Sequence, residues 1–264
     1  MKQGKRVACV LVLAGLDPSG GAGIQADIQA TTAAGAHTLP IITALTVQTN
    51  RRVFAVHPVD ETTLRAQCQA LVDHGTRVDA IKIGIVGQAT NAEVIAELID
   101  QLRVINPQLP VVLDPVLASG HGDLLTKGDA IRALAPLRRR ATLITPNLPE
   151  AQQMTRLDDI PSQAAQMLQD SPHILIKGGH GVGDEVVNTW FHQQGHQAWQ
   201  WPRLSGEFHG SGCTLASAVA ARLAQGIAMK DALDAAQRYT QRCLDHAFHI
   251  ADGQLIPYRA ASVL

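Results

Sequence analysis

The chain has 264 residues, of which 46% are apolar, 17% charged and 3% aromatic, with 22 basic against 23 acidic side chains and a formal net charge of −1. That is long enough for one large α/β domain with a core of small aliphatics, and too apolar for disorder. The balanced charge leaves no electrostatic footprint for nucleic acid or an anionic membrane surface, and no segment is long and apolar enough to span a bilayer.

Cys9, Cys68, Cys213 and Cys243 show no CxxC pairing and fit a reduced, cytoplasmic protein. Lys2, Lys5 and Arg6 before the apolar run 7–14 imitate a signal peptide. No small-x-small cleavage pattern follows, so the run reads as a buried first strand. A Gly-rich turn then leads to a helix over 21–34, stopped by Gly35. Strands are predicted at 39–48, apolar throughout, and at 53–59, and a helix at 61–74. Strand 80–85, helix 91–102 and strand 111–116 follow. Next come helix 129–137, strand 143–145, short helices 149–155 and 162–169, and strand 174–177. Segment 186–200 reads as an antiparallel hairpin at a sheet edge. Helices 213–225 and 230–251 close the chain.

Apolar strands alternating with helices predict a three-layer α/β/α fold, a doubly wound, mostly parallel sheet with helices on both faces. A closed barrel is the alternative, but the late hairpin and two terminal helices break its repeat. No linker or internal repeat divides the chain, so 1–264 reads as one domain. Ligands of such sheets bind beyond the carboxyl ends of the strands, which makes the polar residues there informative.

After strand one, Gly21, Gly23 and Ala26 satisfy a G-x-G-x-x-A pattern, which raises an NAD(P)-dependent oxidoreductase as a rival. That reading needs an acidic residue ending strand two, which instead ends Thr46-Val47-Gln48-Thr49. Asp27 and Gln48 can point into one crevice, where a carboxylate and an amide suit a flat heterocycle with amino and ring-nitrogen groups. Singly, Asp27 also reads as a solvated helix residue and Gln48 as a strand-end polar. Asp114, at the tip of its strand, suggests a metal or phosphate-side role, or a helix cap. Asn147 and Glu150, three apart at a helix start, can reach a hydrated Mg²⁺, or cap the helix reciprocally. Lys177, followed by Gly178-Gly179-His180, can reach a polyphosphate unobstructed. No Walker A sequence, GxSxG elbow or His/Cys metal cluster appears. In His209-Gly210-Ser211-Gly212-Cys213-Thr214 a Gly-rich turn meets an alanine-rich helix, whose first amides make an anion pocket with Cys213 at its mouth. The helix field there favours thiolate. The plain alternative is an ordinary turn and a small buried cysteine.

The chain resembles the hydroxymethylpyrimidine/phosphomethylpyrimidine kinases of thiamine biosynthesis, within the ribokinase-like superfamily. The resemblance rests on residues 14–27, on Lys82-Ile83-Gly84, on Val112-Leu113-Asp114-Pro115-Val116, on Ile144 to Glu150, on Lys177 to His180 and on His209 to Thr214. It implies two successive ATP- and Mg²⁺-dependent phosphorylations, of 4-amino-5-hydroxymethyl-2-methylpyrimidine and then of its monophosphate. It further implies that Gln48 and Asp27 bind the pyrimidine, with Gly15, Ala22 and Val116 lining its pocket. Glu150 and Asn147 would organise Mg²⁺ and phosphates, with Asp114 on the same side, and Lys177 would contact the nucleotide phosphates. Gly210, Ser211 and Gly212 would form an anion hole, with Cys213 as base. A homodimer is also implied, without a fused thiamine-phosphate synthase domain. Ile85 and Thr46 depart from the usual pattern beside the pyrimidine, and the loop 117–122 reads as a residue short. A pyridoxal kinase is the nearest alternative, and a non-catalytic pyrimidine-binding protein another.

Overall fold

The computed structural model describes residues 6–117 and 129–260. The elements in chain order are β1 (Cys9–Leu16), α1 (Gly23–Ala33), β2 (His37–Gln48), β3 (Val53–Pro58), α2 (Glu61–Asp73), β4 (Ala80–Ile83), α3 (Ala89–Ile105) and β5 (Val111–Leu113). There follow α4 (Ala130–Ala133), α5 (Ala135–Arg138), β6 (Leu143–Ile144), α6 (Leu148–Thr155), α7 (Ile160–Met167), β7 (His173–Ile176), β8 (Glu185–His192), β9 (Gly195–Pro202), α8 (Ser211–Ala224) and α9 (Met229–Asp245). The sheet order is β3-β2-β1-β4-β5-β6-β7-β8-β9. β2 through β7 pair in parallel, while β3, β8 and β9 are antiparallel.

The period-two alternation of each strand divides the core between two faces. Leu11, Leu13, Ile81, Ile83 and Leu113 pack with Leu64 of α2 and Ile95 and Ile99 of α3. Val10, Val12, Ala14, Val112 and Leu143 pack on the other side with Ile24 of α1, Leu215 and Val219 of α8 and Leu233 of α9. Strands buried on both faces are almost wholly apolar, which is why β1, β4 and β5 are legible, with the paired Lys82 of β4 the exception.

Three departures have local causes. β2 is alternately buried and exposed, because antiparallel β3 leaves it near a sheet edge; Leu45 and Val47 are 48% and 50% exposed. The stretch 129–137 breaks at Leu134 into two short helices, with Pro136 in the first turn of the second. Helix α9 ends at Asp245, and the chain turns back through bridges Phe248 to Ile256 and Phe208 to Leu255. Loop residues 118–122, singled out above, lie outside the described residues.

Candidate active site

The carboxyl ends of β1, β5, β6 and β7 and the start of α8 open on one crevice of about 460 Å³. Gly15, Ala22, Gln48, Asp114, Val116, Asn147, Glu150, Lys177 and the run Gly210 to Cys213 all line it. Asp27 does not. It is fully buried on α1 beneath the crevice, with both carboxylate oxygens 2.8 Å from Lys82 Nζ and one accepting a bond from Ser217 Oγ at 2.7 Å. The expectation of a substrate-binding Asp27 is therefore corrected: its acceptor oxygens are consumed inside the protein. Lys82 stands in register with Val12 and Val112, so it points toward α1 and α8. Burial raises the Asp27 pKa against the pull of Lys82, while Lys82 stays protonated because Asp27, Cys213 and Asp114 outweigh its own desolvation.

On the phosphate side, Asp114 Oδ1 accepts bonds from Lys177 Nζ at 2.7 Å and from Thr145 Oγ1 at 3.1 Å. Asn147 and Glu150 form the reciprocal cap at the start of α6, each side chain accepting the other's amide at 2.8 Å. The cap does not exclude a ligand role; it fixes the Glu150 carboxyl at the crevice wall. Burial raises that carboxyl to about 7, with Asp114 adding to the rise and Lys177 opposing it. Two carboxyls against one ammonium leave an excess of hard anionic oxygen, which fits Mg²⁺, an ion that takes one or two carboxylates and completes its shell with water and phosphates.

At the far wall Gly210 caps α8 with φ of 83°, and an added Cβ would overlap the Gly21 carbonyl. The first amides of α8 have no acceptor within the helix. Lys177 Nζ lies over this backbone, 3.0 Å from where a Cβ on Gly212 would sit. Cys213 is a free thiol, partly exposed. The expectation that the helix field lowers its pKa is corrected: desolvation pushes the thiol up to about 11, with Lys82 working against the rise and Asp27 and Asp114 adding to it.

The loop that leads into α1 through the G-x-G-x-x-A pattern is tied down by a carboxylate of its own. Asp17 accepts from the amides of Ser19 and Ala22, both at 2.8 Å, and its Oδ2 lies 2.8 Å from His209 Nε2.

A family model described as phosphomethylpyrimidine kinase matches residues 17–257. The chain belongs to the phosphomethylpyrimidine kinase family. It is 39% identical to the hydroxymethylpyrimidine/phosphomethylpyrimidine kinase of Streptomyces coelicolor, over 92% of this chain and 91% of that one. A crystal structure of phosphomethylpyrimidine kinase from Clostridium difficile 630 matches with a TM-score of 0.75 at 32% identity, covering 90% of this chain and 100% of that one. An ADP complex of Bacillus subtilis pyridoxal kinase matches with a TM-score of 0.83 at 27% identity, over 97% and 98% of the two chains. The chain is thus an ATP-using kinase.

Sequence reasoning missed three buried residues that pack around the crevice, Lys82, Asp17 and Arg259. Lys82 carried a signal: a lysine inside an all-apolar strand must be paired. Asp17 lay within a quoted motif, yet its partner His209 is 192 residues away. Arg259 carried none, standing in an aperiodic tail.

Proposed function

We propose that the kinase phosphorylates the hydroxymethyl group of 4-amino-5-hydroxymethyl-2-methylpyrimidine and then the resulting monophosphate, as a step of thiamine biosynthesis. One observation carries this reading: Gln48, the α8 amides, Cys213 and Lys177 line a single crevice. Gln48 offers a donor and an acceptor to the aminopyrimidine edge, and Gly15, Ala22 and Val116 give the ring a close, largely apolar wall. The amides of Ser211, Gly212 and Cys213 stabilise charge on the phosphoryl group in transit, and Lys177 holds the nucleotide phosphates. The thiolate form of Cys213 takes up the hydroxyl proton, giving the neutral thiol. Asp114 and Glu150, with Asn147, would hold Mg²⁺, which when bound neutralises phosphate charge.

The protein acts as a cytoplasmic homodimer in this reading. Four unpaired thiols support a reducing compartment, and exposed Leu45, Val47 and Phe54 near the β2–β3 edge support a subunit contact. ADP release measured in parallel with the pyrimidine alcohol, its monophosphate and pyridoxal tests the substrate. Turnover of both pyrimidines above pyridoxal is expected; turnover of pyridoxal alone would assign the protein to the alternative vitamin.

A further inference from the structure

Arg259 comes from the tail after α9, yet it is 3% exposed and lies behind the α8 N-terminus. Its backbone is tied to α9, where Tyr239 Oη donates to the Arg259 carbonyl at 2.7 Å and the Tyr258 amide donates to Cys243. Its guanidinium spans three segments. Nε donates to Thr214 Oγ1 at 2.9 Å, in the first turn of α8. Nη2 donates to the Gly21 carbonyl and reaches the Gly210 carbonyl at 3.5 Å, and Nη1 donates to Gln29 Oε1 at 3.2 Å. Thr214 in turn donates to Gly210 through both its amide and its hydroxyl.

Every acceptor of this buried cation is neutral. Among the described residues no carboxylate lies within ion-pair distance of it, and Asp27 below is already held by Lys82 and Ser217. A buried charge without a counter-charge is disfavoured unless an anion arrives to complete it. The open anion position beside Arg259 is the crevice end lined by Gly210, Ser211, Gly212 and Cys213.

We infer that Arg259 is the positioning residue of the anion hole. By fixing the Gly21 and Gly210 carbonyls it sets the orientation of the α8 amides, and its uncompensated charge favours the phosphoryl group while that group is in transfer. The inference deepens the kinase reading and rests on it.

The test compares wild type, Arg259→Gln and Arg259→Lys in two measurements. One is steady-state ADP release with the pyrimidine alcohol. The other needs no turnover: thermal stabilisation by ADP–Mg²⁺ with the pyrimidine, with and without aluminium fluoride as a mimic of the transferring phosphoryl group. In Arg259→Gln, kcat is expected to fall by up to about 10²-fold, the lower end of the scale for losing an oxyanion-hole donor, with KM for both substrates little changed. The extra stabilisation from aluminium fluoride disappears while that from ADP–Mg²⁺ alone persists, and Arg259→Lys recovers part of both. The inference is overturned if Arg259→Gln keeps its kcat and its fluoride response. It is overturned equally if both variants lose activity only in proportion to folded protein. A wild type that releases no ADP but shows the fluoride response lost in Arg259→Gln sinks the substrate assignment and leaves Arg259 in its role.

Discussion

At the scale of single residues, the site is governed by burial acting on ionisable groups. Burial pushes the Cys213 thiol up to about 11, so only a small thiolate fraction can serve as base at neutral pH and positioning carries much of the rate. Alkylation of Cys213 by iodoacetamide should rise about tenfold per pH unit between 7 and 10, because only thiolate reacts. A plateau below pH 8 would show a thiol activated beyond what its surroundings supply. Cys213→Ala should lower kcat by about 10²–10⁴-fold, the usual range for a lost general base, in the ADP-release assay. For Glu150 the folded carboxyl titrates near 7 against an ordinary 4.5, so the folded state binds the extra proton between those values. Stability from this group is then greatest at low pH and is lost as pH rises through 7. Metal-free Glu150→Gln should match wild type near pH 4 and exceed it by on the order of 3 kcal/mol near pH 8 in urea unfolding, since Gln preserves the helix cap without the charge. A wild type that gains stability over the variant as pH rises would contradict the assignment.

At the scale of elements, buried polar pairs weld helices to the sheet beneath the crevice. Asp27 of α1, Lys82 of β4 and Ser217 of α8 meet in one cluster, directly below the α8 start. Removing only Lys82 leaves Asp27 buried without a counter-charge, held by Ser217 alone. Lys82→Met should cost about 3–5 kcal/mol by urea unfolding, while Lys82→Met combined with Asp27→Leu should recover most of that loss. Strictly additive losses would show that the two side chains are not coupled. Asp17 does similar work for the loop after β1, taking two loop amides and His209 at once.

At the scale of the whole molecule, the doubly wound sheet gathers residues from Gly15 to Cys213 along one edge, and the returning tail adds Arg259 behind them. Ligand linkage reads this arrangement directly. ATP–Mg²⁺ at a hundred times its Kd should stabilise the protein by about 2.7 kcal/mol, and NAD⁺ should leave the melting temperature unchanged. Protection by NAD⁺ alone would return the oxidoreductase to contention.

Much of this was legible in one dimension. Apolar runs alternating with helical ones determine a parallel sheet, because a strand covered on both faces has no use for polar side chains. Parallel strands place their ends together, so Asp114, Asn147, Glu150, Lys177 and the turn at Gly210 could be found from sequence position alone. Only the tertiary structure decided which polar side chains remain free for a ligand. Asp27 and Gln48 look equally available in the sequence, but one is consumed by Lys82, 55 residues away, and the other lines the crevice. The height of the Cys213 pKa and the reach of Arg259 were decided the same way, since desolvation and unpaired charge depend on what folds against a residue rather than on its neighbours in the chain.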